Sequence, residues 1–505
     1  MMDFQRASGI ILHPTSLPGR YGIGDLGPAA YSWIEFLHKS GCSLWQILPL
    51  GPTGYGDSPY QCFSAVAGNP YLISPELLLE EDLLHKDDLV SIPDFPSTTV
   101  DYGSVIPWKL GVLDRAFIRF QHTTSGNIKA EYENFYLGQK EWIEDFALFM
   151  ALKEDHGGAP WIDWEPELRN RNEAALKDAR GKFKTAIQRQ IFRQFLFFRQ
   201  WNKVRQFANK LGVKIVGDVP IFVAHDSVDV WKNSELFFLD PQGKPTVVSG
   251  VPPDYFSPTG QLWGNPLYNW EIHKQTQYRW WFDRLRKVFE MVDILRLDHF
   301  RGFAGYWEVK AGSKTAEIGR WVSAPGMDFF NKLNEVFKEN GIIAEDLGVI
   351  TPDVEELRDH FGFPGMRVLQ FAFEGNPKDD FLPHNYINNC VVYTGTHDND
   401  TAKGWYERVS EGSRDFYRQY LFCDGTDVAW DMIRACWSSV AVFALAPMQD
   451  FLSLGNQARM NYPGDPSGNW RWRMAARDMR DKLSSRIQQI NFLYDRQNPR
   501  LNHDK

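Results

Sequence analysis

Eight short stretches rich in Ile, Val and Leu recur along the chain, each running into polar residues and each parted from the next by sequence of largely helical character. They are GIILHP (9–14), LWQILPL (44–50), KIVGDVPIFV (214–223), ILRLDHF (294–300), IIAEDLG (342–348), MRVLQF (366–371), VVYTGTHD (391–398) and VAVFALAP (440–447). Runs that are apolar at nearly every position belong to strands covered on both faces, the condition of a parallel sheet. Eight of them in alternation with helices predict an α/β fold, a (β/α)8 TIM barrel; a doubly wound open sheet is the alternative. The 505 residues allow such a barrel with insertions.

Helical spacing supports the alternation. Phe195, Phe198, Trp201, Val204, Phe207, Ala208 and Leu211 recur mostly at steps of three just before the third stretch. Trp280, Trp281, Leu285, Val288 and Phe289 precede the fourth stretch, and Phe329, Phe330, Leu333, Val336 and Phe337 the fifth. The interval between the second and third stretches is far too long for one βα unit. Residues 71–190 are therefore expected to form an inserted, mainly helical subdomain, with 1–70 and 191–505 making the barrel. Segment 243–269, rich in Gly, Pro and aromatics without periodicity of its own, reads as a long active-site loop. Too little chain follows residue 447 for a C-terminal β-domain, and 478–494 has helical spacing.

A net charge of −9 offers no attraction for phosphate backbones or anionic lipid, so nucleic-acid and membrane-surface partners are not expected. Cys42, Cys62, Cys390, Cys423 and Cys436 are odd in number and form neither a CxxC pair nor zinc-ligand spacing, which points to reduced thiols in a cytoplasmic protein. The longest apolar runs, 146–152 and 440–446, are too short to span a bilayer, and residues 1–18 lack the pattern of a signal peptide.

Acidic residues recur at the predicted strand ends, where barrel active sites collect: Asp218, Asp298, the pair Glu345 and Asp346, and Asp398. Unpaired charge buried in such places is costly, so the recurrence asks for a purpose. Strand alternation puts Arg296 and Asp298 on one face, where the guanidinium is expected to keep Asp298 ionised and nucleophilic; a purely structural ion pair is the bland alternative. Glu345 shares a face with Ile343 and Asp346 with Ala344, so one acid of the two enters the barrel mouth. We choose Glu345, its pKa expected to rise among other carboxylates as a general acid requires, with Asp346 in support. Asp398 can hold sugar hydroxyls or merely cap a turn. A carboxylate nucleophile, a proton donor and a third acid suit glycosidic bond cleavage through an oxocarbenium-like transition state. Tyr55, Tyr60, Tyr255, Phe256 and Trp263 fall in predicted loops, where rings can stack on sugars; most of the 19 Trp are expected in the core.

The segments IILHPTSLPG, GPTGYGDSPYQCFSAVAGNPYLI, GDVPIFVAHDS, GVPPDYFSPTGQLWGNPLYNW, LRLDHFRGF, IIAEDLGVITPDV, GTHDNDT and GNWRWR together resemble the amylomaltases, 4-α-glucanotransferases of the α-amylase superclan, over essentially the whole chain. The resemblance implies that Asp298 is the nucleophile, Glu345 the acid/base and Asp398 the transition-state stabiliser. It implies that Arg296, His299, His397 and Asp218 line the donor subsite, that Ser58 and Asn469 join the sugar-binding set, and that Tyr55 and Tyr60 belong to the second of those segments. Tyr255 and Phe256 would sit on a mobile loop over the acceptor side. Implied partners are α-1,4-glucans such as maltooligosaccharides, with no metal or other cofactor, and the chain acts as a monomer or weak oligomer. Three other readings compete. An α-amylase-type hydrolase on the same barrel is disfavoured by the missing β-domain. A metal-dependent barrel enzyme is disfavoured by Arg296 beside Asp298, and a non-catalytic glucan-binding protein by the three placed acids.

Overall fold

A computed structural model describes residues 4–122, 126–253, 257–465 and 467–502. Twelve strands are present among them: β1 Ala7–Ile11, β2 Leu44–Gln46, β3 Lys214–Pro220, β4 Val247–Val251, β5 Gln261–Pro266, β6 Ile294–Asp298, β7 Gly305–Lys310, β8 Gly319–Ser323, β9 Gly341–Ala344, β10 Gly365–Val368, β11 Cys390–Tyr393 and β12 Phe443–Pro447. Eight of these form one sheet in the order β10-β11-β12-β1-β2-β3-β6-β9, every neighbouring pair parallel. Its ends meet. The Ala344 N–H donates to the Pro364 carbonyl at 3.0 Å, and the Met366 N–H to the Asp346 carboxylate at 2.6 Å, closing the ring into the expected barrel. All eight predicted stretches contribute a barrel strand.

The interior is filled by alternate residues, among them Ile11, Leu44, Val216, Ile294, Ile343, Met366, Val391, Tyr393, Phe443 and Leu445. The outer faces pack on helices. Between β2 and β3 run helices Pro75–Glu80, Tyr102–His122, Gly126–Asp155, Glu173–Lys182 and Lys184–Lys210, with no strand among the described residues of that interval. On the last of these, Phe195, Phe198, Trp201, Val204 and Ala208 are buried, as their spacing predicts, and the Trp201 indole donates to the Met291 carbonyl. Trp33, Trp45, Trp161, Trp201, Trp231, Trp281 and Trp437 are fully buried, which accounts for much of the tryptophan surplus as core. At the end of the barrel where its strands begin, the buried Arg496 donates to the carbonyls of Ala7, Trp437, Ser439, Ala441 and Val442, so the mouth is at the other end. No helix of the described residues is long and apolar enough to cross a membrane.

The sequence reading of 243–269 as a loop needs correction. β4 and β5 lie within it and pair antiparallel with each other, and β4 pairs with β7, which in turn pairs with β8, giving a second sheet in the order β5-β4-β7-β8. Glycines within β4 and β5 and the exposure of β8 on both faces hide the alternation that marks a strand. β7 starts seven residues after Asp298, so this sheet rises beside the barrel mouth.

Candidate active site

Alternation decides which side chains enter the barrel. Val216, Ile294 and Ile343 belong to the interior, so Asp218, Arg296, Asp298 and Glu345, at even steps from them, share their inward face. Asp346 points the other way, its carboxylate pairing with Arg358 at 2.5 Å. Asp398 follows β11 on the loop that also carries His397.

Arg296 joins two of the acids. Its Nε and Nη2 donate to the two oxygens of Asp218 at 3.0 and 2.7 Å, and Nη2 also reaches Asp298 Oδ1 at 2.9 Å. The Asp218 carboxylate, fully buried, additionally accepts the Tyr60 hydroxyl at 2.6 Å. Arg296 is therefore largely committed to Asp218. Arg296 still favours the ionised form of Asp298, as its place on the same face leads one to expect, but burial works against it and pushes the Asp298 carboxyl up to about 7, with Asp218 and Asp398 adding to the rise and His397 opposing it. Burial and the Asp298 charge push Glu345 further, to about 8, although the His299 N–H donates to its Oε2 at 2.6 Å. The two acids titrate as a coupled pair, each pushed above the ordinary carboxylate range by burial and by the other charges of the mouth.

Asp398 goes the opposite way, to about 2. Burial alone would raise it; the charge of His397 and its contact at 3.3 Å, the Asn461 amide donating to Oδ1 at 2.6 Å, and Arg296 outweigh that. Three acids on one mouth thus have separated proton affinities.

Aromatic and imidazole rings wall the mouth. Tyr60 stacks on His397, ring centroids 5.2 Å apart and planes at 14°, and Trp470 lies 5.7 Å from Tyr60. Trp263, on β5 rather than in a loop, meets His299 edge to face at 4.6 Å. His299 has φ 54°, a left-handed conformation costing ~1–2 kcal/mol in a residue with a Cβ. Burial and Arg301 hold its imidazole down to about 3, so at neutral pH it is an uncharged hydrogen-bonding group.

Other expected residues bond to groups other than the acids. Tyr55 is 78 % exposed on the short helix Tyr55–Asp57. Ser58 Oγ accepts the Tyr60 N–H at 3.2 Å. Asn469 is spent on its own turn, accepting the Tyr462 N–H at 2.9 Å and donating to the Asp465 carbonyl at 2.8 Å, and so fixes the approach of Trp470. Tyr255 and Phe256 lie outside the described residues. Asn461, Arg459 and Trp470 contribute to the site without having been singled out from sequence; of these, Trp470 at least sits in the quoted GNWRWR segment. Among the described residues no group of three or more His, Cys, Asp or Glu is arranged to hold a metal ion.

A family profile described as 4-alpha-glucanotransferase, glycoside hydrolase family 77, matches residues 12–479. The chain belongs to that family. A 4-alpha-glucanotransferase of Thermus thermophilus is 50% identical over 494 residues, 96% of this chain and 98% of the relative. One of Synechocystis is 50% identical over 500 residues, 98% and 99% of the two chains, and a chloroplastic/amyloplastic 4-alpha-glucanotransferase of Arabidopsis thaliana is 44% identical over 98% and 86%. Among solved structures, the amylomaltase from Streptococcus agalactiae in complex with acarbose superposes with a TM-score of 0.95 at 38% identity, covering 98% of this chain and 100% of that one. The chain is accordingly an enzyme, a 4-α-glucanotransferase on a TIM-type barrel, and the amylomaltase resemblance read from its motifs holds at the level of the family.

Proposed function

We propose that this 4-α-glucanotransferase moves α-1,4-glucan segments between maltooligosaccharides by double displacement, with Asp298 as nucleophile, Glu345 as acid/base and Asp398 as stabiliser of the transition state. The observation that carries the assignment is geometric: Asp298 and Glu345 emerge together from adjoining strands, tied by the His299 N–H to Glu345 Oε2 at 2.6 Å and by Arg296 to Asp298 at 2.9 Å, with Asp398 held beside them by His397 and Asn461; burial raising Glu345 and His397 lowering Asp398 fit the two roles. Glu345 protonates the glycosidic oxygen while ionised Asp298 attacks the anomeric carbon, giving a β-glycosyl ester and releasing the reducing-end fragment. Glu345, now ionised, takes the proton from the 4-hydroxyl of an acceptor glucan, and attack on the ester restores the α-linkage. Asp398, the acid most firmly ionised, faces the positive charge that develops on the sugar.

Arg296, Asp218, Tyr60, His397 and neutral His299 suit the donor sugar, and Trp263 a ring on the acceptor side. The aromatic wall favours transfer over hydrolysis by keeping water from the ester. The substrates are α-1,4-glucans, and we take the working form to be a monomer or weak oligomer. The five free thiols fit a reducing compartment such as the cytoplasm.

Incubation with maltotriose tests the reading. A ladder of longer glucans plus glucose, with constant total reducing ends, is expected. A steady rise in reducing ends would make the enzyme a hydrolase, and undiminished turnover by a folded Asp298→Asn variant would remove the proposed nucleophile.

A further inference from the structure

We infer that Arg459 is a positioning residue that sets the orientation of Asp398. The three nitrogens of its guanidinium are each committed to the loop that carries the stabiliser or to the segment clasping it. Nη2 donates to the Asp398 carbonyl at 2.5 Å, Nε to the Asn461 carbonyl at 2.7 Å, and Nη1 pairs with the Asp400 carboxylate. The central carbon of the guanidinium lies over the Tyr462 ring, 4.2 Å from its centroid. Asn461, held by that second bond, closes the clasp from its own side. Its N–H donates to the His397 carbonyl at 3.1 Å and its amide to Asp398 Oδ1 at 2.6 Å.

Asp398 has no strand ladder to fix it. It lies on a loop beyond β11, and its side chain is 46 % exposed. A carboxylate at the end of such a loop can rotate away from the anomeric centre unless its backbone and one oxygen are held, and Arg459 holds the first directly and the second through Asn461. A planar fork with five N–H donors on three nitrogens spans acceptors set well apart in fixed directions, whereas the three donors of an ammonium radiate from a single atom. Arg459 also lines a cavity of about 30 Å³ with His13, His397 and Asp400, so truncating it leaves space for a small planar cation.

The inference rests on the proposed role of Asp398 in glycosyl transfer. The experiment compares Arg459→Ala, Arg459→Lys and Asp400→Asn in maltotriose disproportionation, each rate normalised to folded enzyme. For Arg459→Ala, kcat is expected to fall about 10- to 100-fold with little change in KM, as expected when a reacting group is misplaced by an ångström or so. Free guanidinium, well below denaturing concentration, should restore part of that loss, and Arg459→Lys should fall between. A merely structural role would lower thermal stability while leaving kcat unchanged and insensitive to guanidinium, and that outcome overturns the inference. If Arg459→Ala does not fold, Asp400→Asn decides: a several-fold loss in kcat supports the role, and wild-type kcat rejects it. Asp398→Asn separates the two layers. An inactive Asp398→Asn beside a fully active Arg459→Ala removes only the positioning role, whereas a fully active Asp398→Asn removes the stabiliser assignment itself.

Discussion

The N–H of His299 donates to Glu345 Oε2 at 2.6 Å, so the residue directly after the proposed nucleophile carries the proposed proton donor. The tie is reinforced along the backbone, where the Glu345 N–H donates to Leu297 at 3.0 Å and the Phe300 N–H to Glu345 at 2.9 Å. The ends of β6 and β9 are thereby laced together at the point where both acids emerge. The left-handed turn at His299 is what aims its N–H across the gap.

This arrangement predicts the pH dependence of turnover. Asp298 must be ionised and Glu345 protonated, and they titrate near 7 and 8. kcat/KM should therefore be bell-shaped with a narrow maximum between these values, read from initial rates across a buffer series. Glu345→Gln should lower kcat on maltotriose by 10³-fold or more as an order of magnitude, and abolish the alkaline limb. It should spare the first step on a glycosyl donor whose leaving group needs no proton.

The same shift has a stability consequence of definite sign. Folding raises the Glu345 pKa from 4.5 to about 8, so between these values the native state holds a proton that the unfolded chain has lost. That carboxyl favours the fold below pH 4.5 and loses its contribution as pH rises through 8. Glu345→Gln removes the dependence. Its Tm advantage over the parent protein should be small in acid and grow towards pH 8, which calorimetry at several pH values will measure.

Removing Arg296 should be felt in the fold as much as in the chemistry. Arg296→Met leaves Asp218 buried with only Tyr60 as a partner, and breaking a buried pair in this way costs about 3–5 kcal/mol. Adding Asp218→Asn should return part of that stability without returning activity, as denaturant midpoints and maltotriose turnover will show.

Tyr60→Phe keeps the ring that stacks on His397 and deletes the hydroxyl that Asp218 accepts. A buried acceptor left short of one donor costs about 1–3 kcal/mol. We expect a lower Tm and a reduced kcat/KM, while Tyr60→Ala, which also removes the stack, should do worse on both measures.

Gly365 tests the support of the acid from behind. A Cβ there would stand 2.4 Å from Asp346 Oδ2, the carboxylate that pairs with Arg358 and takes the Met366 N–H. Gly365→Ala should displace Asp346 and the loop carrying Glu345 with it. The expected result is lower stability and lower kcat, whereas Gly412→Ala, whose Cβ would meet only Ser410 Oγ at 3.7 Å, should be neutral in activity.

The acids were legible because a period of two can be counted from Ile294 to Asp298 and from Ile343 to Glu345 without knowing the fold. The same count said that one acid of Glu345 and Asp346 enters the mouth, and the expected raised pKa of Glu345 decided which. What counting could not supply was competition for charge: that Arg296 is spent on Asp218, seventy-eight positions away in sequence, depends on a contact across strands. Arg459 and Asn461 reach Asp398 from an irregular segment about sixty residues on, so no local pattern announces them. β4, β5 and β8 escaped notice because Gly, Pro and polar residues interrupt their apolar positions and because one edge strand lies open to solvent on both sides.

Two separate parts of the chain therefore build the reaction centre and one of its walls. The proposed nucleophile and proton donor stand at the ends of the parallel strands β6 and β9, while Trp263 belongs to the antiparallel sheet beside them. Variation in that sheet can retune which glucan lengths are admitted and how often water intrudes, leaving the attacking and protonating atoms where they stand. A laboratory seeking a different product spectrum should diversify β4 to β5 first.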